Sequence, residues 1–241
     1  MAPVLLAELE IWHSRPIAPT RRVALGHRLL PADPPPGFGG LLLGGIVAAF
    51  IEDLDPDLLG EVTRLVNDLQ AGRRIPQPRL RHRFQVDRIG LARARHRLVD
   101  VGDVVQFDLE DTASPAAQIL GAVYAAGAVD EAHRGVVLET VRRASQWRGP
   151  VGPSLVAHLS GAGGGQAWAS GAFTHPHRWA LGVLGFGPEV VPERGDVQQR
   201  FRSMVRSAHP DHGGAHEGAA QRISELSEAR RILLAATVTT G

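Results

Sequence analysis

At 241 residues the chain is long enough for one large domain or two modest ones, and its 44% apolar content can build a core. A net charge of +1 makes bulk attraction to polyanions a poor account of its function. The absence of cysteine removes disulfides, thiol catalysis and Cys-ligated zinc, and the cytoplasm is the expected setting. Met1 to Trp12 carries Glu8 and Glu10 and no basic start, so no leader is expected there. The apolar run from Phe38 to Ile51 is too short to span a bilayer and reads as a buried helix, so no membrane partner is expected.

Residues 4–12 alternate, with Leu5, Ala7, Leu9 and Ile11 on one side and Glu8 and Glu10 on the other, which predicts a half-buried strand. A turn over 14–20 and a second strand over 23–30 follow. Pro34-Pro35-Pro36-Gly37 is a stiff break before a buried helix from about Gly39 to Ile51. The next helix has Asp55 as N-cap, Pro56 at its first position and Gly72 at its end, with a stripe of Leu58, Val62, Leu65, Val66 and Leu69. Residues 79–98 predict a hairpin turning near Arg88-Ile89-Gly90. In its first arm Leu80, Phe84 and Val86 alternate with Arg79, Arg81 and Arg83. In its second, Ala92, Ala94 and Leu98 alternate with Arg93, Arg95 and Arg97. A third strand is expected over 104–110, with Val105, Phe107 and Leu109 inward.

Helices are expected over 115–127, capped by Thr112 or Ser114, and over roughly 130–147, followed by a short irregular or helical piece over 150–160. The glycines between Gly161 and Gly171 mark a flexible linker. Residues 1–160 are therefore expected to form an α+β domain of unknown role, with a small antiparallel sheet and about four helices. The Gly-rich linker is placed at 161–175 and an all-α domain at 176–241.

In the last quarter Val197, Phe201, Met204, Val205 and Ala208 form one helical stripe. Arg202 and Arg206 lie opposite it, with Arg200 at the margin. After Gly213-Gly214, a second stripe comprises Ala219, Ile223, Leu226, Leu233 and Leu234. Two helices separated by a short break predict an antiparallel hairpin with His209-Pro210-Asp211 at its tip, where Pro210 ends the first helix.

This region resembles a J domain, the module that partners Hsp70 chaperones. Phe201 and Val197 stand eight and twelve positions before His209, where the family places apolar or aromatic residues. Ile223, Leu226, Ala229 and Leu233 match apolar positions of its third helix. Trp179 to Phe186 resembles the short first helix and the Leu-Gly turn after it, and His209 to Gly214 resembles the HPD-x-Gly-Gly of short J proteins. The sequence departs from the family in a longer loop over 187–195 and in Ser207 and Ala208 before the tripeptide. It also has Arg230 on the apolar stripe, where an aromatic is common and where a packed stem with its head in water is expected.

The resemblance implies a co-chaperone that recruits a DnaK-type Hsp70 and stimulates its ATP hydrolysis. The family's tripeptide contacts the Hsp70 ATPase domain and the linker to its substrate domain. Carried over, His209 and Pro210 shape the loop and Asp211 supplies the charge contact. Arg202 and Arg206, with Arg200 at the margin, supply the docking face. No catalytic residue, cofactor or metal is expected, and the N-terminal domain would select a client protein, whose identity is unknown, or a location.

Arg79, Arg81, Arg83, Arg93, Arg95 and Arg97 on one hairpin face would repel one another if left unpaired. Pairing with Glu8, Glu10, Asp87, Asp108 and Glu110 is the plainer reading of that face. The alternative is a surface for an acidic protein or nucleic acid, on an adaptor whose J-like tail is a tether. No aromatic platform interleaves these arginines. His175, His177, His212 and His216 read as loop histidines rather than zinc ligands. The tract Gly161 to Gly165 lacks the Lys-Ser/Thr of a phosphate loop. No motif places a nucleophile beside a base, so no enzyme activity is expected.

Overall fold

The structure is a computed structural model that describes residues 3–15, 21–161, 167–208 and 218–238. Strands β1 (Val4–His13), β2 (Arg22–Leu29), β3 (Arg83–Phe84), β4 (Ala92–Asp100) and β5 (Val105–Leu109) form one sheet in the order β3-β2-β1-β4-β5. The chain is α+β, as its pattern implies. The sheet is mixed rather than antiparallel, because β3 pairs parallel to β2 through Arg22↔Arg83 and Val23↔Phe84.

The expected hairpin over 79–98 does not form. Residues 79–82 instead close a tight turn, in which the Arg79 and His82 backbones exchange hydrogen bonds of 2.9 and 2.8 Å. Leu80 and Arg81 hold positive φ angles of 46° and 58°, and Leu80 is wholly buried. The alternation of arginine with apolar residues reports which side chains face inward, but not which strand lies alongside. β4 pairs with β1 along its whole length and with β5 on its other side. The β4–β5 connection is the true hairpin, with Gly102 and Asp103 both at positive φ. In β1 the register shifts between Leu5 and Ala7, so Leu6 rather than Leu5 turns inward.

Helix α1 (Gly37–Phe50) is the centre of the body. It touches β1, β4, β5 and the helices α3 (Pro115–Gly127), α4 (Glu131–Ala144) and α5 (Pro153–Ser160). All its side chains but Ala49 are buried, and its glycines allow the close approach. A Cβ on Gly45 would run into the Phe107 ring of β5. Helix α2 (Pro56–Gln70) starts where expected, with Asp55 Oδ1 accepting the Asp57 N–H at 3.0 Å. Helix α3 starts at Ser114, whose hydroxyl accepts the Ala117 N–H at 3.3 Å. The piece expected as irregular or helical over 150–160 is α5, which brings this part of the chain to five helices among the described residues.

Helix α6 (Ala167–Thr174) occupies part of the stretch expected as a linker. Its Phe173 is buried and meets Phe38 of α1 edge-on at 5.2 Å between centroids. Helices α7 (Pro176–Val183), α8 (Arg194–Ala208) and α9 (Ala219–Val238) complete the described fold. The apolar core runs continuously from the sheet into these helices. Among the described residues no helix is long and apolar enough to cross a membrane.

Candidate functional site

Helix α7 begins with Pro176 at its first position, where the missing N–H costs nothing. Asp103 in the β4–β5 turn caps it: Oδ1 accepts the N–H of His177 at 3.1 Å and of Arg178 at 3.2 Å. The helix is closed by Gly185, just past its end, with φ of +70°, while the Phe186 N–H reaches the Leu181 carbonyl at 2.9 Å. That is a Schellman closure, which satisfies carbonyls the helix end would orphan.

Helix α8 buries Val197 fully, and Phe201, Met204, Val205 and Ala208 pack against the core, as its stripe requires. Helix α9 buries Leu226, Ala229, Ile232 and Leu233, with Ile223 half-buried. Ile232, Ser224 and Glu228 are buried although they lie outside the expected stripe, because α9 is covered on two sides. One side meets α7 and α8, and the other meets β1. On the β1 side Arg231 grips Glu228 through two hydrogen bonds of 2.7 and 2.8 Å and reaches the Leu5 carbonyl at 3.5 Å.

The α8 arginines take distinct positions. Arg200 lies over the Phe186 ring, 5.5 Å from its centroid. Arg202 and Arg206 are exposed one turn apart, and Arg202 Nε donates to the Gln198 carbonyl at 3.2 Å. None of the three has an ion-pair partner among the described residues. Gln198, Phe201, Arg202 and Arg230 line an open cavity of about 200 Å³ between the two helices. His209, Pro210 and Asp211 lie outside the described residues.

The six arginines expected on one hairpin face are dispersed. Arg79 pairs with Asp68 at 2.8 Å and Arg81 with Asp55 at 2.8 Å, both carboxylates belonging to the α2 region. Arg83 is on the edge strand β3, with β2 and β1 between it and β4. On β4, Arg93 pairs with Glu10 at 3.0 Å, and Arg97 with Asp108. The Arg95 backbone N–H donates to Glu110 Oε2 at 2.8 Å. Neutralisation therefore holds for two of the β4 arginines, Arg93 by Glu10 and Arg97 by Asp108, while the guanidinium of Arg95 has no ion pair among the described residues and the single six-arginine surface does not exist.

His175 is tied to the β4–β5 turn, its Nδ1 lying 3.0 Å from the Asp103 carbonyl and 3.5 Å from Oδ2. His212, His216 and Gly163 to Gly165 lie outside the described residues. No group of three or more His, Cys, Asp or Glu among the described residues is placed to hold a metal ion.

Two buried polar residues on β4 escaped sequence reasoning, although both fall on the inward register that Ala94 and Leu98 define. His96 is wholly buried, with Nε2 2.8 Å from Gln118 Oε1, and burial lowers its pKa. Asp100 is buried with neither carboxylate oxygen in hydrogen-bond geometry among the described residues. Its desolvation, and then the nearby Asp103 carboxylate, push its pKa up; the Asp103 and Val104 amides and His177 offset only part of this. Neither residue reaches the α8–α9 arginines, and each belongs to the interior of the sheet.

Compared with protein-family models, curated proteins and solved structures, the chain has no match.

Proposed function

We propose that residues 176–241 act as a J domain and that the chain is a co-chaperone of a DnaK-type Hsp70 in the cytoplasm. The observation that carries this reading is the α8–α9 pair itself. Val197, Leu226, Ala229 and Leu233 are buried along it, while Arg202 and Arg206 stand in solvent on the last turns of α8. His209-Pro210-Asp211 follows α8 directly. A basic helix face next to a tripeptide with one carboxylate suits a partner that offers an acidic surface and an arginine.

On this reading Arg202 and Arg206 steer the encounter, Asp211 makes the charge contact, and His209 and Pro210 set the loop. The protein accelerates ATP hydrolysis by its partner and carries no catalytic group of its own. The α+β body selects the client or the location.

Asp211→Asn tests the reading, since it removes the charge and keeps the shape. Steady-state ATP turnover by the Hsp70 should lose its stimulation, while the circular dichroism melt of the variant stays at the parent value. Full stimulation by the folded variant would sink the idea.

A further inference from the structure

We propose that the β2–β3 edge of the sheet binds an extended segment of a partner protein in which apolar side chains alternate with carboxylates. β3 has only two residues, and β2 continues beyond its pairing with β3, from Ala24 to Leu29, with no strand on its outer side among the described residues. Such an edge accepts a further strand through its main-chain groups, and every second side chain of the added strand then faces one way.

A receptor for those side chains lies at the same edge. An open cavity of about 370 Å³ is walled by Leu25, Leu69, Phe84 and Tyr124, with the exposed Arg28 beside them. Its wall is held by contacts within the chain. The Phe84 and Tyr124 rings stack at 3.9 Å, and the Tyr124 hydroxyl accepts a hydrogen bond from Gln77 at 2.6 Å. Val86, which lines the cavity, is 91% exposed, and Ile89 is 81% exposed. A lone exposed apolar side chain needs no explanation, but one at the rim of an apolar cavity and a second three residues on, both after an edge strand, mark a contact surface.

Charge selects the occupant. Arg21, Arg22, Arg28, Arg83 and Arg88 have no ion-pair partner among the described residues, in contrast to Arg93 and Arg97 of β4. Arg22 and Arg83 face each other in the β2–β3 ladder, where like charges repel. Asp87, the carboxylate of the loop after β3, accepts the Ile89 N–H at 3.0 Å. A carboxylate from outside would relieve the repulsion that the chain leaves standing. The aromatic rings favour a peptide over a nucleic acid. Arg88 lies over Trp12, 5.5 Å from its centroid, and Phe84 is stacked on Tyr124, so each has one ring face already covered against a base.

Fluorescence anisotropy with the full chain tests the proposal. The probes are a labelled ten-residue peptide of alternating Leu and Glu, the same peptide with Lys for Glu, the same with Ser for Leu, and a single-stranded RNA of about 20 nucleotides. The Leu-Glu peptide should bind at least about tenfold more tightly than the other three, and added salt should weaken it. The pair Arg83→Glu and Arg88→Glu should weaken it about tenfold, and so should Val86→Ser with Ile89→Ser. These side chains are exposed, so the melting temperature should hold. Binding there needs no contact with Hsp70, and both pairs should leave Hsp70 stimulation at the parent level. Equal binding of the Lys peptide, tighter binding of the RNA, unchanged affinity in either pair, or no binding of the Leu-Glu peptide would overturn the proposal.

Discussion

The guanidinium carbon of Arg230 on α9 lies 4.8 Å from the centroid of the Phe201 ring on α8. This contact resolves a conflict in the sequence, a cation on an apolar stripe. The arginine stem packs in the seam, and the charged head lies over the face of the ring at the edge of the open cavity. Its Nε is buried without a hydrogen-bond acceptor among the described residues, and the ring face offsets part of that cost. Arg230→Ala should destabilise the chain by about 1 kcal/mol. A double-mutant cycle with Phe201→Leu should return a coupling of about 0.5–1 kcal/mol in urea denaturation. A coupling near zero would mean that the stem alone matters.

Asp103 joins the β4–β5 turn to α7. Asp103→Ala removes the cap from the His177 and Arg178 amides and puts a residue without a side-chain acceptor at a φ of +65°. A loss of about 2 kcal/mol is expected, with faster hydrogen exchange at those two amides. Asp103→Asn keeps both the acceptor and the tolerance for positive φ, and should recover most of the loss. Equal losses for Ala and Asn would assign the effect to charge rather than to capping.

Asp100 is held in the interior with a raised pKa. The folded chain therefore binds its proton more readily than the unfolded chain. The group is best tolerated at acid pH, and stability is lost as pH rises from the unfolded carboxyl range, about 4, through the folded value. Asp100→Asn should raise stability at pH 7 by about 1–2 kcal/mol, and the gain should vanish toward pH 4. Melting curves at the two pH values read this out. A variant less stable at pH 7 would show that the carboxylate holds a partner.

His13, His82 and His96 work in the opposite direction. Burial lowers the pKa of each in the fold. The unfolded chain takes up protons first as pH falls through about 6.5, so stability is intact above that value and declines below it, toward the folded pKa values. The melting temperature should fall between pH 7.5 and pH 5.5, and less steeply in His96→Gln. An equal slope in the variant would remove His96 from the account.

Arg202 and Arg206 are exposed and unpaired among the described residues, so reversing both to Glu should leave the melting temperature within about 2 °C. The same pair should weaken Hsp70 stimulation about tenfold at low salt, with a smaller deficit at high salt. Undiminished stimulation would place the docking face elsewhere.

Much of the fold was legible where local chemistry decides it. Asp55 and Ser114 mark the starts of α2 and α3 because a side-chain acceptor there satisfies a free amide, and Val197 lies inward because its helix has one apolar side. What failed was what depends on distant neighbours. Arg79 to Arg83 alternates like a strand yet closes a turn around the buried Leu80, and Ala92 to Asp100 finds β1 rather than the preceding segment. Ile232 and Glu228 are buried because β1 covers a second side of α9, which a single-stripe reading cannot anticipate. At the candidate site, the exposure of Arg202 and Arg206 was readable from helical period. The stacking of Arg200 on Phe186 depends on the turn after α7 and was not.

The most direct measurement is single-turnover ATP hydrolysis by a DnaK-type Hsp70, including the cognate one, with the full chain and with His209→Gln. The full chain is required, because α9 packs on β1 and residues 176–241 alone would expose that side. Acceleration by the parent is expected, and none by a variant that melts at the parent temperature. No acceleration by the parent, or equal acceleration by the folded variant, would contradict the co-chaperone reading.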